Sequence, residues 1–202
     1  MTTLSGLKQE VKENRKPEYD ADPLFVNRWS PRSFSDKKVS EETLLGVLEA
    51  ARWAPSAMNL QPWRFIVART EENREKFQSF VMEGNQAWSK KAPVLILLVS
   101  EKERDGNEIG THAFDTGAAW GFLSLQAAQK GLITHAMGGI YKDKAKEVLD
   151  IPDHFEVQAL VALGYQGVME NLPENLQERE KPSDRRKVKE SAFEGTFGKE
   201  LV

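Results

Sequence analysis

Two segments carry side chains whose types and spacing suit chemistry. The first, Arg28-Trp-Ser-Pro-Arg-Ser-Phe34, alternates Arg28, Ser30 and Arg32 around Pro31. An extended backbone points alternate residues the same way, so two guanidiniums and a hydroxyl would share one face. Arginine offers bidentate, charge-assisted donors, which makes such a face a phosphate clamp; a solvated basic loop would carry the same residues. The second segment, Trp53-Ala-Pro-Ser-Ala-Met-Asn-Leu-Gln-Pro-Trp-Arg-Phe65, sets Ser56, Asn59 and Gln61 between Pro55 and Pro62. These uncharged hydrogen-bonding groups could contact a planar heteroaromatic ring or a sugar. Ser and Asn also cap turns for purely local reasons, and the pattern does not separate the two readings. Gly138 and Gly139 would let a backbone amide come close to a ligand, although a simple turn needs none.

Other chemistries are set aside. His112, His135 and His154 lack metal-ligand spacing, and there is no nucleophile elbow, P-loop or dinucleotide-binding glycine motif. With no cysteine, disulfides and thiolate catalysis are excluded. Glu41/Glu42 and Glu71/Glu72 open helices, where they complement the dipole. No side chain is assigned as a catalytic acid or base, and none as a metal ligand. The net charge of -3 and pI near 5.8 argue against a general nucleic-acid binder. The chain shows no apolar leader and no run able to span a bilayer, so a soluble cytoplasmic protein is expected.

The elements that must position these segments follow from local pattern. Ser40 is the expected N-cap of a helix whose Leu44, Val47, Leu48 and Ala51 form a core stripe, with Val39 and Leu44 as its staple and Pro55 ending it. Residues 63–68 read as a strand. Thr70 then opens a helix carrying Phe77, Phe80 and Val81. Residues 92–99 are a continuous apolar run, best placed in a strand buried on both faces, and 101–112 form an exposed polar excursion. Residues 114–129 are apolar almost all round, which predicts a helix buried by its neighbours, with Gly117 and Gly121 leaving a flat face for another helix. A short extended stretch at 132–136, a turn at Met137-Gly138-Gly139, a brief helix at 144–149 and a strand at 157–163 complete the core. Asp22-Pro23 suits the start of a short helix. Residues 1–21, apolar only at Leu4, Leu7 and Val11, are an amphipathic helix or a loose arm. The polar tail, 165–202, cannot bury a core of its own and must dock on the domain, dock on a partner or stay mobile. The expected organisation is an arm at 1–21 and a domain at 22–202 that includes the tail.

Taken in order, these segments resemble the nitroreductase family of flavoproteins. Residues 28–34 are similar to its R-x-S-x-[RK]-x-[FY] motif, and 54–65 to its A-P-S-[SA]-x-N-x-Q-P-W-x-F signature; Ala57 stands where many members have a second serine. The resemblance implies an α+β fold: a mixed, mostly antiparallel sheet flanked by helices, in a homodimer with swapped tails and an FMN site at each side of the interface. It implies that Arg28 and Ser30 hold the FMN phosphate and ribityl end. Arg32 would lie near the flavin N1 and O2, where a cation stabilises the anionic reduced ring. Pro55, Ser56, Asn59 and Gln61 would belong to the loop that reaches the partner's flavin. Gly138 and Gly139 would present an amide to N5, and Arg179 and Lys181 would add cations at the phosphate, with Arg185, Arg186 and Lys187 as competitors. The implied activity is NAD(P)H-dependent reduction of nitroaromatics, quinones or similar electrophiles by a ping-pong cycle. A specialised reductase of the dehalogenating or flavin-destroying type, or a flavin-binding redox sensor with little turnover, would share these motifs.

Overall fold

The computed structural model describes residues 6–201; Leu4, expected to help anchor the N-terminal arm, lies outside the described residues. The chain divides into two compact units, one of the residues up to Trp29 together with those from Lys181 on, the other Ser30–Glu180. In the first unit, α1 (Gln9–Asn14) buries Val11 completely, and Leu7 just ahead of it is also buried. α2 (Pro23–Asn27) begins as its sequence indicates, with the Asp22 carboxylate accepting from Leu24 N at 2.8 Å and Pro23 in the first turn. Proline is tolerated there because its missing N–H would have had no helical partner. The returning tail joins this unit through Val188 N, which donates to Glu18 at 2.9 Å.

The second unit is built on a four-stranded sheet. Its strands are β1 (Trp63–Ala68) and β2 (Val94–Glu101), followed, after the small hairpin of β3 (Glu103–Arg104) and β4 (Asn107–Glu108), by β5 (Ile133–Met137) and β6 (Phe155–Gly164). The order is β1-β2-β6-β5 and all three pairings are antiparallel, so the sheet has no parallel pair among the described residues, where the sequence left room for a mixed one. β2 is buried along its whole length. Leu95, Leu97 and Val99 pack into one apolar cluster, and Val94, Ile96 and Leu98 into another on the opposite face. A strand with both faces covered has no need of polar alternation, which explains the unbroken apolar run. The expected polar excursion is largely the β3–β4 hairpin, whose turn places Asp105 and Gly106 at φ of 53° and 78°. Two consecutive positive φ values match the twist of a tight hairpin.

Helices cover both faces. α3 (Glu41–Arg52) starts with Ser40 Oγ accepting from Thr43 N at 3.2 Å and buries Leu44, Val47 and Ala51. The helix opened by Thr70 is α4 (Glu71–Gln78), and it stops before Phe80 and Val81. Those two residues pair elsewhere: Phe80 O accepts from Tyr141 N at 2.8 Å, and Val81 forms an antiparallel bridge with Ile140. Tertiary hydrogen bonding thus overrides the local helical pattern. A further helix, α5 (Glu83–Ser89), follows immediately. Its Trp88, 1% exposed, lies stacked 6.2 Å from Phe34 and 4.5 Å from the His135 ring, counted between ring centroids.

α6 (His112–Gln129) corrects one expectation. Its neighbours cover only the side carrying Asp115, Thr116, Ala119, Leu123, Ser124 and Ala127. The other side is open: Phe114 is 81% and Phe122 43% exposed, and a side chain added at Gly117 or Gly121 would meet nothing. The helix is apolar all round, yet one chain buries only one of its faces. α7 (Lys142–Val148) and α8 (Glu174–Gln177) complete the unit. No helix among the described residues is long and apolar enough to cross a membrane. Because Trp88 fills the space between Phe34 and His135, Trp88→Ala should cost about 3–5 kcal/mol of unfolding free energy in a urea titration; a loss under about 1 kcal/mol would mean that the cluster closes over the gap.

Candidate functional site

Residues 30–34 run as an extended strap beside the end of β6. Phe34 bridges Gln166, Ser35 N donates to Tyr165 O at 3.0 Å, and Gly167 N donates to Ser33 O at 2.9 Å. Burial alternates along 28–33: Trp29, Pro31 and Ser33 are buried, and Arg28, Ser30 and Arg32 are half-buried. That is the alternation an extended backbone requires. The strap is locked from inside by a residue the motifs do not contain. The Glu180 carboxylate, 9% exposed, accepts from Arg32 N and Ser33 N at 2.8 Å and from Ser33 Oγ at 2.7 Å, and Arg32 Nη1 lies 4.0 Å from it. Burial lowers the Arg32 guanidinium below arginine's ordinary value, Glu180 opposes that shift, and Arg179 adds to it. Arg179, exposed at the surface, therefore lies within the field of Arg32.

β5 holds the strap from the side. His135 Nδ1 lies 3.1 Å from Pro31 O. A carbonyl only accepts, so Nδ1 carries the proton and donates. Burial and, after it, Arg32 push His135 below its ordinary pKa, which keeps the ring neutral at pH 7. Three residues further on comes Gly138-Gly139. A Cβ at Gly139 would sit 2.4 Å from Asn85 Nδ2, which donates to Gly139 O at 3.2 Å, so the Asn85 amide would have to move. Gly138 is different: it is exposed, has no positive φ, and a Cβ added to it would meet nothing in this chain. Bare backbone with open space before it fits the approach of a flat ligand. Ser30, Arg32, Arg179, Gly138 and Gly139 thus gather along one edge of the sheet.

The loop at 55–62 is strained and strongly braced. Met58, Asn59 and Gln61 have φ of 50°, 57° and 48°, a region that L residues seldom occupy. Ser56 Oγ accepts from Gln61 N at 3.0 Å, which closes the loop on itself. Gln61 Nε2 donates to Asn59 O at 3.0 Å and Oδ1 at 3.1 Å, leaving both side chains exposed with Pro55. Three residues outside the motif's polar set hold the loop. Buried Asp115 accepts from Ala57 N at 3.2 Å, Arg104 donates to Leu60 O at 3.1 Å, and Arg64 donates to Gln61 O at 3.0 Å. Both arginines also pair with Glu101, and its hydrogen bond to Arg104 holds that carboxylate below its ordinary pKa. Strain kept by so many contacts is a mark of function rather than of a plain connector.

The sheet register separates this loop from the strap. Trp63, just after the loop, aligns with Ser100 and, through it, with Glu156 near the start of β6, whereas the strap pairs with Gln166 beyond its end. That stretch of strand covers about 30 Å at the usual rise. The loop also leads into the edge strand β1, and the strap lies against the opposite edge strand, β5. One chain does not bring the two segments together.

In the other unit, Arg28 and Arg185 line a cavity of about 710 Å³. Burial and then Arg185 lower the Arg28 guanidinium, so Arg185 is a tail cation in the field of Arg28, while Lys181 is exposed at the start of the tail segment. No cluster of three or more metal-ligating side chains occurs among the described residues.

Comparison with known proteins gives a consistent result. The sequence pattern of the nitroreductase family matches residues 26–91 and 78–165. A Streptomyces coelicolor protein provisionally named NADH dehydrogenase/NAD(P)H nitroreductase is 43% identical over 75 residues, a match spanning only 37% of either chain. An NADH dehydrogenase of Thermus thermophilus is 29% identical over 182 residues, covering 74% of this chain and 88% of that one. A crystal structure described as an oxidoreductase containing FMN superposes with a TM-score of 0.88 at 47% identity, covering 92% of this chain and 97% of that one.

The geometry of His135 predicts a pH dependence. The folded chain protonates this ring less readily than the unfolded chain does, so its contribution is complete above about pH 6.5 and is lost as pH falls through the lowered value. The thermal stability of His135→Gln should therefore decline less steeply than that of wild type as pH falls below about 6.5; parallel curves would show that His135 is not the responsible group.

Proposed function

The chain belongs to the nitroreductase family, and from that membership we propose that it is an FMN-dependent oxidoreductase. It would take reducing equivalents from NADH or NADPH and reduce nitroaromatics, quinones or related electrophiles by a ping-pong cycle. The observation that carries this reading is the edge formed by the strap and the Gly138-Gly139 turn, where a cation, a hydroxyl and bare backbone lie beside open space. A relative described as containing FMN that shares 47% of its residues supports it.

When bound, FMN supplies the redox chemistry, accepting a hydride equivalent and passing electrons to the acceptor. The chain supplies position and charge. Ser30 would hold the ribityl end, and Arg28 and Arg185 the phosphate, by the motif and by the cavity they line. Arg179 and Lys181 would serve as further tail cations. Arg32, fixed through its own amide by Glu180, would place positive charge where negative charge develops on the ring. The backbone at Gly138 and Gly139 would face the reactive edge of the ring.

Pro55, Ser56, Asn59 and Gln61 would serve a second copy of the chain. The strained loop stands too far from its own strap to share one flavin, and α6 leaves an apolar face uncovered. A homodimer with two shared sites answers both features. In this reading residues 22–202 form the flavin domain, 165–202 its tail and 1–21 an arm, in a cytoplasmic enzyme.

The purified protein should be yellow, release FMN on denaturation and oxidise NADH or NADPH over many turnovers when a quinone or nitroaromatic is supplied. A colourless protein that takes up no added FMN would sink the proposal, and a flavin reduced only once would leave a binding module rather than an enzyme. A Cβ at Gly121 meets no neighbouring atom within 4 Å. Gly121→Leu should therefore leave the fold intact while converting the dimer to a monomer that has lost FMN, as read by light scattering and absorbance; a flavin-bound monomer would contradict the shared site.

A further inference from the structure

Arg15 lies outside the segments that match the family motifs, yet it is 6% exposed and hydrogen-bonded through its guanidinium. Its Nε donates to Ser183 O at 2.9 Å, and its Nη1 donates to Arg28 O at 2.8 Å and to Val26 O. All three acceptors are neutral backbone carbonyls. They belong to two stretches, 26–28 and 183–185, that are adjacent in this unit only because the tail returns to it. The first stretch carries Arg28 and the second Arg185, and all three arginines line the same cavity.

Basic residues outnumber acidic ones in the lining of this cavity, where Glu18, Asp20 and Asp184 are the acids. Arg15 and Arg28 are both held below arginine's ordinary value, first by burial and then by Arg185; Asp184 is the acid that opposes this at Arg15. A lining in which cations outnumber carboxylates carries a positive potential that an anion relieves. The bonds leave two nitrogens, Nε and Nη1, held at fixed spacing in a planar fork, which the single nitrogen of a lysine would not reproduce.

We propose that Arg15 is a positioning residue for the FMN phosphate: by tying residues 26–28 to residues 183–185 it sets the spacing at which Arg28 and Arg185 grip the phosphate group. The proposal rests on the chain being an FMN binder, and it gives the N-terminal arm a part in cofactor selection. Arg15 touches no ligand itself. It acts through the backbone of Arg28 and of the tail.

The test uses the full chain, stripped of flavin and titrated with FMN and, separately, with riboflavin, which has the ring and ribityl chain but no phosphate. Wild type should bind FMN more tightly than riboflavin. Arg15→Gln should weaken FMN about tenfold or more while changing riboflavin affinity by less than about twofold. Arg15→Lys, which keeps the charge but not the fork, should fall between wild type and Arg15→Gln, and it takes the place of that variant if the glutamine does not fold. Combined with Arg28→Met, the FMN losses should be less than additive, because both changes disable one clamp. Equal weakening of both ligands would reduce Arg15 to a general brace, and no weakening of FMN would remove its role; either overturns the proposal. A wild type that binds FMN and riboflavin equally would overturn the phosphate clamp while leaving the flavin reading standing, and one that binds neither would fell both.

Discussion

The carboxylate of Glu180 is the constraint on which the proposed site depends. An acid this deeply buried persists only when its oxygens are met by donors, and here the donors are two amides and a hydroxyl of the strap. The arrangement works in both directions. The strap satisfies the acid, and the acid holds the strap extended, which alternates Arg32 outward and Ser33 inward. Because the short bonds run to the backbone of Arg32, its partly buried guanidinium makes a longer 4.0 Å contact to the same carboxylate. His135 adds a second support through Pro31 O, and Trp88 backs both His135 and Phe34. An edge of otherwise irregular chain is thereby made rigid enough to orient a cofactor.

Sheet register supplies the second constraint. The antiparallel order fixes the strap beyond one end of β6 and the 55–62 loop beside the other, on opposite edges. A one-residue slip cannot reconcile them, since it would send each β2 side chain into the opposite apolar cluster and shift the pairing by only about 3 Å. The loop's unusual backbone at Met58, Asn59 and Gln61 is held by Asp115, Arg64 and Arg104, so its shape is set before anything binds. The prepared loop and the open apolar face of α6 are the two features that the proposed homodimer would answer.

Much of this was legible in the sequence because it is local. Ser40 and Asp22 cap helices at the places their types announce, the run ending at Val99 is the doubly buried strand, and the proline-bracketed loop is as irregular as its residues suggested. What stayed hidden depends on distant parts of the chain. Glu180 meets Arg32 across 148 positions, and it stands between Arg179 and Lys181, two cations that draw the eye instead. Arg15 meets Ser183 across 168 positions, in an arm whose pattern alone allowed it to hang loose. α5 was missed because Phe80 and Val81 continue a helical rhythm that their pairing with Tyr141 and Ile140 interrupts. The burial of α6 by its own neighbours was overestimated for another reason: hydrophobicity all round does not say which faces of a helix its own chain covers.

The most direct test of this account is residue-resolved amide hydrogen exchange at Arg32 and Ser33. If Glu180 holds the strap, both amides are protected in wild type although they lie outside any helix or sheet strand, and Glu180→Ala speeds their exchange by about tenfold or more while the β2 and β6 amides stay slow. Exchange of Arg32 and Ser33 at the rate of exposed loop amides in wild type, or protection that survives the substitution, would contradict it.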